Sequence, residues 1–342
     1  MEETFFSSFI TSLHSYNNKI IVGLDDGTIR TDEFSFTAHE KEFDTLESVD
    51  IPEKVNDFFI VDSGSFHQQF VSCNDKSINV NKVRPNISCI DIIENNYTKE
   101  SLSYRAECTS SLKNIHNYNI ESLSYSNDYF ISTDYLRINF WNIHNLSHSY
   151  NLLDCKPKKL EEMEYVITKG LLMNDSFSYG TSNGEVFIND LRIKSTNQNK
   201  IVIPKSEDLY EEILRMIHDY LIIENNLIIR DMNTVYFYDL RMNDCFNRII
   251  FDGLSIDYIE KHFKTNSFGN FKLSTDKHNF FSGGGEGILY KIDNQYNLFS
   301  IDLKSEESLE LVCNNNNDLF CSIGKSLMKI DDSYFKEVKK NI

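Results

Sequence analysis

The sequence predicts an all-β protein: a seven-bladed WD-repeat-type β-propeller with one projecting hairpin insertion. Three observations carry this. A short unit recurs seven times: a small or polar turn, an alternating strand, then an acidic or Asn residue near the strand end. Its copies begin at residues 23, 72, 132, 180, 229, 282 and 321, so they lie 39 to 60 residues apart. Four short strands and their turns fill about 40–50 residues in one propeller blade. The turns are Asp-Gly, Asn-Asp, Asn-Gly and Gly-Glu-Gly, which accept positive φ and match the twist of paired strands. Unrelated hairpins in a β-sandwich would not keep so regular a spacing.

In chain order, the copies are Gly23 to Phe34, Ser72 to Val83, Ser132 to Ile143 (STDYLRINFWNI), Gly180 to Leu191, Ile229 to Leu240, Ser282 to Asp293 and Cys321 to Asp332. Each reads as a two-strand hairpin core, and most follow a further apolar run, such as Lys19 to Val22 or Phe280 to Phe281. A blade cannot bury both its faces alone; seven stacked around an axis do. One domain over 1–342 is therefore expected, with an insertion at about 35–58. Within it, the charged stretch His39 to Lys54 should project as a hairpin or long loop. Arg84 to His116 reads as a long connection, which accounts for the 60-residue gap. Lys156 to Met163 suits a single helical turn, with Pro157 at its start. Leu209 to Met216 and Asp257 to Phe263 read as short helices. Asn314 to Asn317 reads as a loop. Either Thr4 to Ile10 or Ser333 to Val338 supplies the outer strand of the last blade.

The net charge of −18 with a pI near 4.9 disfavours nucleic acid and anionic membrane, and points to basic protein surfaces as partners. No run of 18 apolar residues offers a membrane-spanning helix, and MEETFFSSFI lacks the basic start of a signal peptide. The seven cysteines never form a CxxC pair, which fits reduced thiols in the cytoplasm, with the nucleus also open.

Catalytic motifs dissolve on inspection. Gly324-Lys325-Ser326 imitates the end of a phosphate-binding loop, but Leu319 stands where that motif needs Gly, and a strand follows. Gly283 to Gly287 lacks the strand-to-helix context of a dinucleotide site. His144 and His148 have no Cys pair before them. No GxSxG elbow and no Cys-His signature is present. With 52 acidic residues, pairs such as Asp25-Asp26 and Glu161-Glu162 are expected on the surface; an enzyme of the glycosidase kind would need two carboxylates converging at a cleft or channel. No metal or cofactor is implied.

Five segments, in order, resemble the 55-kDa class of regulatory B subunits of serine/threonine protein phosphatase 2A. They are His39 to Asp44 with Leu46, Glu47 and Ser48; Ser72 with Asn74 to Ile78; Ser132 to Asn142; Asp154 with Lys156-Pro157, Glu161-Glu162 and Val166 to Thr168; and Arg230-Asp231 with Val235 and Asp239-Leu240. The matches run from about 35 to 295, and the chain is compact for that family. The resemblance implies a propeller that carries no chemistry. It would sit on a helical-repeat scaffold (A) subunit and position phosphoproteins beside a separate catalytic (C) subunit. Scaffold contact would fall to His39, Glu40, Glu42, Phe43 and Asp44. An acidic propeller face would accept substrates with basic residues near the phosphosite.

By the same resemblance, Tyr118, Glu161 and Glu162 match positions lining the substrate groove. Asn119 stands where the family commonly has His, and Met163 where it has Leu. Asp134 matches the first acid of an Asp-Asp pair; Tyr135 replaces the second, which exchanges a carboxylate for an aromatic face able to make cation–π contact. The same residues also have local readings. Asp134 can cap its turn by bonding backbone amides, and Glu161 and Glu162 can favour a helix N-terminus. The alternative function is a general WD-repeat interaction platform that does not assemble with a phosphatase.

Overall fold

The computed structural model describes residues 2–44, 48–62, 67–86, 103–193, 199–204, 215–242, 244–251, 271–276, 278–305, 307–315 and 318–338. Blade one is β2 (Ile10–Tyr16), β3 (Lys19–Leu24), β4 (Thr28–Arg30) and β5 (Ser35–Thr37), preceded in the chain by β1 (Glu2–Phe5). A separate two-stranded hairpin follows, β6 (Glu42–Asp44) with β7 (Val49–Ile51). Blade two is β8 (Asp57–Asp62), β9 (Gln68–Cys73), β10 (Ser77–Asn86) and β11 (Ser103–Lys113); blade three is β12 (Ser122–Ser126), β13 (Tyr129–Thr133), β14 (Arg137–Asn142) and β15 (Asn145–Asp154). Blade four is β16 (Ile167–Met173), β17 (Ser176–Thr181), β18 (Glu185–Asp190) and β19 (Asn199–Val202); blade five is β20 (Asp219–Ile223), β21 (Asn226–Arg230), β22 (Thr234–Asp239) and β23 (Asp244–Ile250). Blade six is β24 (Leu273–Thr275), β25 (Phe280–Gly283), β26 (Ile288–Ile292) and β27 (Leu298–Asp302). Blade seven opens with β28 (Leu311–Asn315), β29 (Asp318–Ile323) and β30 (Ser326–Ile330).

All seven repeat copies fall on the turn and strand between the second and third strands of a blade. The second strands are buried along nearly their whole length, as in β13 and β21, where four of five residues are inaccessible. A strand packed on both faces reads as a continuous apolar run, whereas one with a wet face alternates. Seven apolar clusters follow among the described residues, one for each pair of neighbouring blades. The first strands line a central channel, where their free edge would leave amides unpaired. Side chains of the preceding blade take several of them. Asp57 accepts from the Leu123 N–H (2.9 Å), Ser122 and Ser124 from Gly170 and Leu172 (3.2 and 2.9 Å), Asp219 from Leu273 (2.8 Å) and Ser274 from Asn314 (2.9 Å).

The ring closes from the N-terminal side. β1 pairs antiparallel with β30, Glu2 opposite Lys329 through Phe5 opposite Ser326, and becomes the outer strand of blade seven. The closing strand therefore precedes most of the Thr4 to Ile10 segment. Ser333 to Val338 does something else: β31 (Lys336–Glu337) adds a fifth strand to blade six on the outer edge of β27. Arg84 to His116 is not simply a connection, because beyond a bulge at Val80/Asn81 the strands β10 and β11 stay paired from Asn81 opposite Cys108 to Asn86 opposite Ser103. Residues 35–37 and 57–58 belong to blades, so the insertion narrows to 38–56. The helix expected at Leu209 to Met216 lies outside the described residues but for Arg215 and Met216. Asp257 to Phe263 and Asn316-Asn317 lie wholly outside them. Among the described residues no helix is long and apolar enough to cross a membrane.

Candidate protein-recognition face

Strand direction alternates within each blade, so the turn between strands two and three shares one end of the ring with the connection to the next blade. Every candidate contact residue lies in such a turn or connection. The insertion is clipped at its root: the Ala38 and His39 amides donate to the Gly27 carbonyl (2.8 and 3.1 Å), and Val55 donates to Leu24 (3.1 Å). Gly27 sits at φ +79°, and a Cβ there would strike the His39 carbonyl at 2.1 Å, so glycine is required. Beyond the root, Phe43 and Val49 stand 59% and 54% exposed on the hairpin. Glu42 is tied to Lys113 of blade two (2.8 Å) and Lys41 to Asp50 (3.3 Å). Glu40 is exposed, and Asp44 is half-buried.

The next connection, 114–121, holds Tyr118 and Asn119, both half-buried. It is pinned at its end: Ile120 donates to the Asp75 carbonyl (3.1 Å) and Glu121 to Thr133 (2.9 Å), while the Asn56 amide group bonds both the Asp75 carboxylate (2.8 Å) and the Ile120 carbonyl (2.9 Å). Tyr135 is 37% exposed, and its ring lies 6.4 Å from that of Tyr118, tilted by 59°. Partial burial, together with the nearby Glu121 and Asp75 carboxylates, holds the Tyr135 hydroxyl far above its ordinary pKa. The connection 155–166 springs from the same turn, since Cys155 donates to the Leu136 carbonyl (2.8 Å) and Ile167 to that of Tyr135 (2.7 Å). It carries one 3-10 turn, Leu160–Glu162, and exposes Glu161, Glu162 and Met163. Pro157 lies three residues ahead of this turn, not at its first position. Sequence reasoning missed Asp75 and Glu121; Asp75 lies inside the second copy of the repeat and Glu121 ahead of the third, but their approach to Tyr135 depends on two blades stacking.

Two expected contact residues are corrected. Asp134 is fully buried. Its Oδ1 accepts the Leu136 and Arg137 amides (2.7 and 2.6 Å), and its Oδ2 faces His116 Nδ1 at 2.9 Å. A carboxylate only accepts, so His116 donates from Nδ1; its Nε2 then accepts from Ser132 (2.7 Å), whose Oγ accepts from the Trp141 indole (2.9 Å). Asp134 therefore belongs to a buried relay that fixes the turn presenting Tyr135, and leaves no oxygen for a partner. His39 is likewise buried, 2% exposed, with Nε2 on Ser72 Oγ (3.0 Å) and Nδ1 beside the Asn79 amide (3.3 Å). Burial pushes its imidazole down to about 4. It anchors the insertion to blade two and cannot reach a partner.

The central channel encloses about 440 Å³. Its carboxylates are already engaged: Asp57 by His14 (2.9 Å) and the Leu123 amide, Asp219 by Lys169 and the Leu273 amide. Among the described residues no group of His, Cys, Asp and Glu could hold a metal ion. The six described cysteines are free, and burial raises each thiol.

No protein-family profile matches the chain. Curated proteins do. It is 30% identical over 242 residues to a PP2A protein phosphatase regulatory protein of the B type from Candida tropicalis, covering 61% of this chain and 48% of that one. It is 28% identical over 240 residues to the beta isoform of the 55 kDa regulatory B subunits of serine/threonine-protein phosphatase 2A, from Carassius auratus, covering 61% and 54%. Against the phosphatase 2A regulatory subunit sur-6 of Caenorhabditis elegans it is 28% identical over 241 residues, covering 61% and 49%. The matched stretch spans about half the length of these relatives. Among solved structures, the WD40 β-propeller domain of Doa1 superposes with a TM-score of 0.60 at 13% identity, covering 98% of this chain and 95% of that one. That likeness bears on the fold. In sequence, over 61% of its length, the chain is similar to regulatory B subunits of serine/threonine protein phosphatase 2A, the 55-kDa class among them.

Proposed function

We propose that the chain is a non-catalytic regulatory subunit of a 2A-type serine/threonine phosphatase, which binds a scaffold subunit through its hairpin and presents phosphoproteins with basic patches to the catalytic subunit. Its place of work on this reading is the cytoplasm, with the nucleus also accessible. The observation that carries the reading is the relationship to three curated regulatory subunits. The geometry supports it: an exposed Phe43 on a clipped hairpin shares one end of the ring with Tyr118, Tyr135 and the Glu161-Glu162 turn. With His39 and Asp134 buried, the contact set becomes Glu40, Glu42, Phe43 and Asp44 for the scaffold, and Tyr118, Asn119, Tyr135, Glu161, Glu162 and Met163 for substrates.

Size-exclusion chromatography with the matching scaffold and catalytic subunits tests this. A three-component peak is expected. The variant Phe43→Ala should weaken incorporation into that peak about tenfold or more, as loss of an aromatic anchor does. Elution of the chain alone, while scaffold and catalytic subunit pair normally, would favour an independent WD-repeat platform.

A further inference from the structure

We propose that Tyr135 makes this face selective for arginine over lysine in the basic segments it binds. The proposal rests on the substrate-presenting role above and deepens it. Two rings meet here, Tyr118 from the connection 114–121 and Tyr135 from the blade-three turn, and the carboxylates of Glu121 and Asp75 lie near enough to act on the Tyr135 hydroxyl. Two rings set 6.4 Å apart at 59° form an open corner. The Glu121 amide is tied to the Thr133 carbonyl, two residues from Tyr135, and the Glu121 carboxylate acts on the Tyr135 hydroxyl, so an acid lies beside the ring. A cation resting on the face of Tyr135 is therefore also within reach of an acid.

That combination discriminates between the two basic side chains. Guanidinium is planar and weakly hydrated, so it can stack on a ring and still direct N–H groups sideways to a carboxylate. An ammonium is a compact, strongly hydrated point charge that satisfies the carboxylate but gains less from the ring. A plain pair of carboxylates would favour guanidinium only through its forked geometry, and would lack the stacking surface that the ring adds. The corner is also preorganised. The Tyr135 carbonyl accepts from the Ile167 amide (2.7 Å), the Glu121 backbone amide donates to the Thr133 carbonyl (2.9 Å), and the Asp75 carboxylate accepts from Asn56 (2.8 Å). The buried Asp134 fixes the turn below. Little ordering therefore opposes binding. Lys76, next to Asp75, donates to the Asn117 carbonyl at 3.4 Å.

The test uses the full chain alone and fluorescence anisotropy of a short labelled peptide rich in arginine, beside a twin with lysine at each arginine. The arginine peptide should bind about three- to five-fold more tightly, the range expected of an exposed cation–π contact. Tyr135→Ala should cut the preference about twofold or more while leaving lysine binding within about twofold. Tyr135→Phe, which keeps the ring, should retain it. Equal binding of both peptides by the unaltered chain would overturn the proposal, and so would a preference that Tyr135→Ala leaves undiminished. Because no phosphatase subunit is present, either result is independent of whether the chain joins a scaffold.

Discussion

At Asp134 a carboxylate carries out architecture at a position where a binding role was expected. Three N–H groups depend on it: Leu136, Arg137 and His116 Nδ1. Asp134→Ala would leave them buried and unsatisfied, so a loss of about 3–5 kcal/mol is expected in urea unfolding. Glu161→Ala and Glu162→Ala, on an exposed turn, should stay within about 0.5 kcal/mol. Comparable losses at all three sites would refute the division between framework and surface. Asn74 holds the corresponding place in blade two and accepts the Lys76 and Ser77 amides (3.0 and 2.7 Å), so the turn needs an acceptor but not a charge. Asp231, the blade-five counterpart, makes the cost of charge measurable. Burial pushes its carboxyl up to about 6 from 3.8, against the pull of neighbouring Arg230. Below about pH 4 both folded and unfolded forms are protonated; between 4 and 6 only the folded one is. Stability contributed by the protonated form is thus complete in acid and is lost as pH rises through about 6. The loss is about 2–3 kcal/mol. Asp231→Asn keeps the acceptor for Asn233 and Thr234 and should abolish that fall. Unfolding free energies of the two proteins, measured from about pH 4 to 7, should converge or diverge by this amount; parallel profiles would rule it out.

At the scale of elements, the two chain ends act on different blades. β1 supplies the fourth strand of blade seven in a four-residue register, whereas β31 pairs only two residues with β27, both of its own residues exposed. Phe335 and Val338 nonetheless pack on the apolar clusters of blades six and seven and blades five and six. Deleting residues 2–6 opens the ring and bares the β30 edge, so thermal melting should drop by well over 10 °C or the protein should aggregate. Deleting 331–342 should leave a folded ring with a smaller drop. A reversed order would move the closure to the C-terminus. This is also where sequence reading stopped. The seven turn-and-strand copies were legible because each encodes its own local chemistry: small, polar or Gly-containing turn residues, with a run of apolar residues in the strand beside them. Closure was not legible, because Glu2–Phe5 and Lys336–Glu337 are short, polar-rich segments whose strand state comes from the edge they meet. The same holds for β10 and β11, whose length past the blade depends on pairing with each other.

Across the whole molecule, recognition divides into a long-range and a short-range part. The chain carries −18 charges, 52 acidic residues against 34 basic. This field acts on an approaching basic surface before any contact forms, and salt screens it within about 8–10 Å. The candidate face was legible to the same division. Exposed residues on connections, such as Glu161, Glu162 and Met163, could be read from local sequence, since nothing downstream changes their exposure. His39 and Asp134 could not, because their burial requires Ser72, Asn79, His116 and Ser132 to arrive from strands elsewhere in the chain. If charge steers and the aromatic corner holds, the two should separate in binding kinetics. Raising salt from about 50 to 500 mM should cut the association rate for a basic peptide by tenfold or more and change its dissociation rate little. Tyr135→Ala should do the reverse, speeding dissociation with association nearly unchanged. Stopped-flow or surface-based kinetics resolves both rates. A salt effect confined to dissociation would mean that the net charge exerts no steering, and that the acidic composition serves solubility alone.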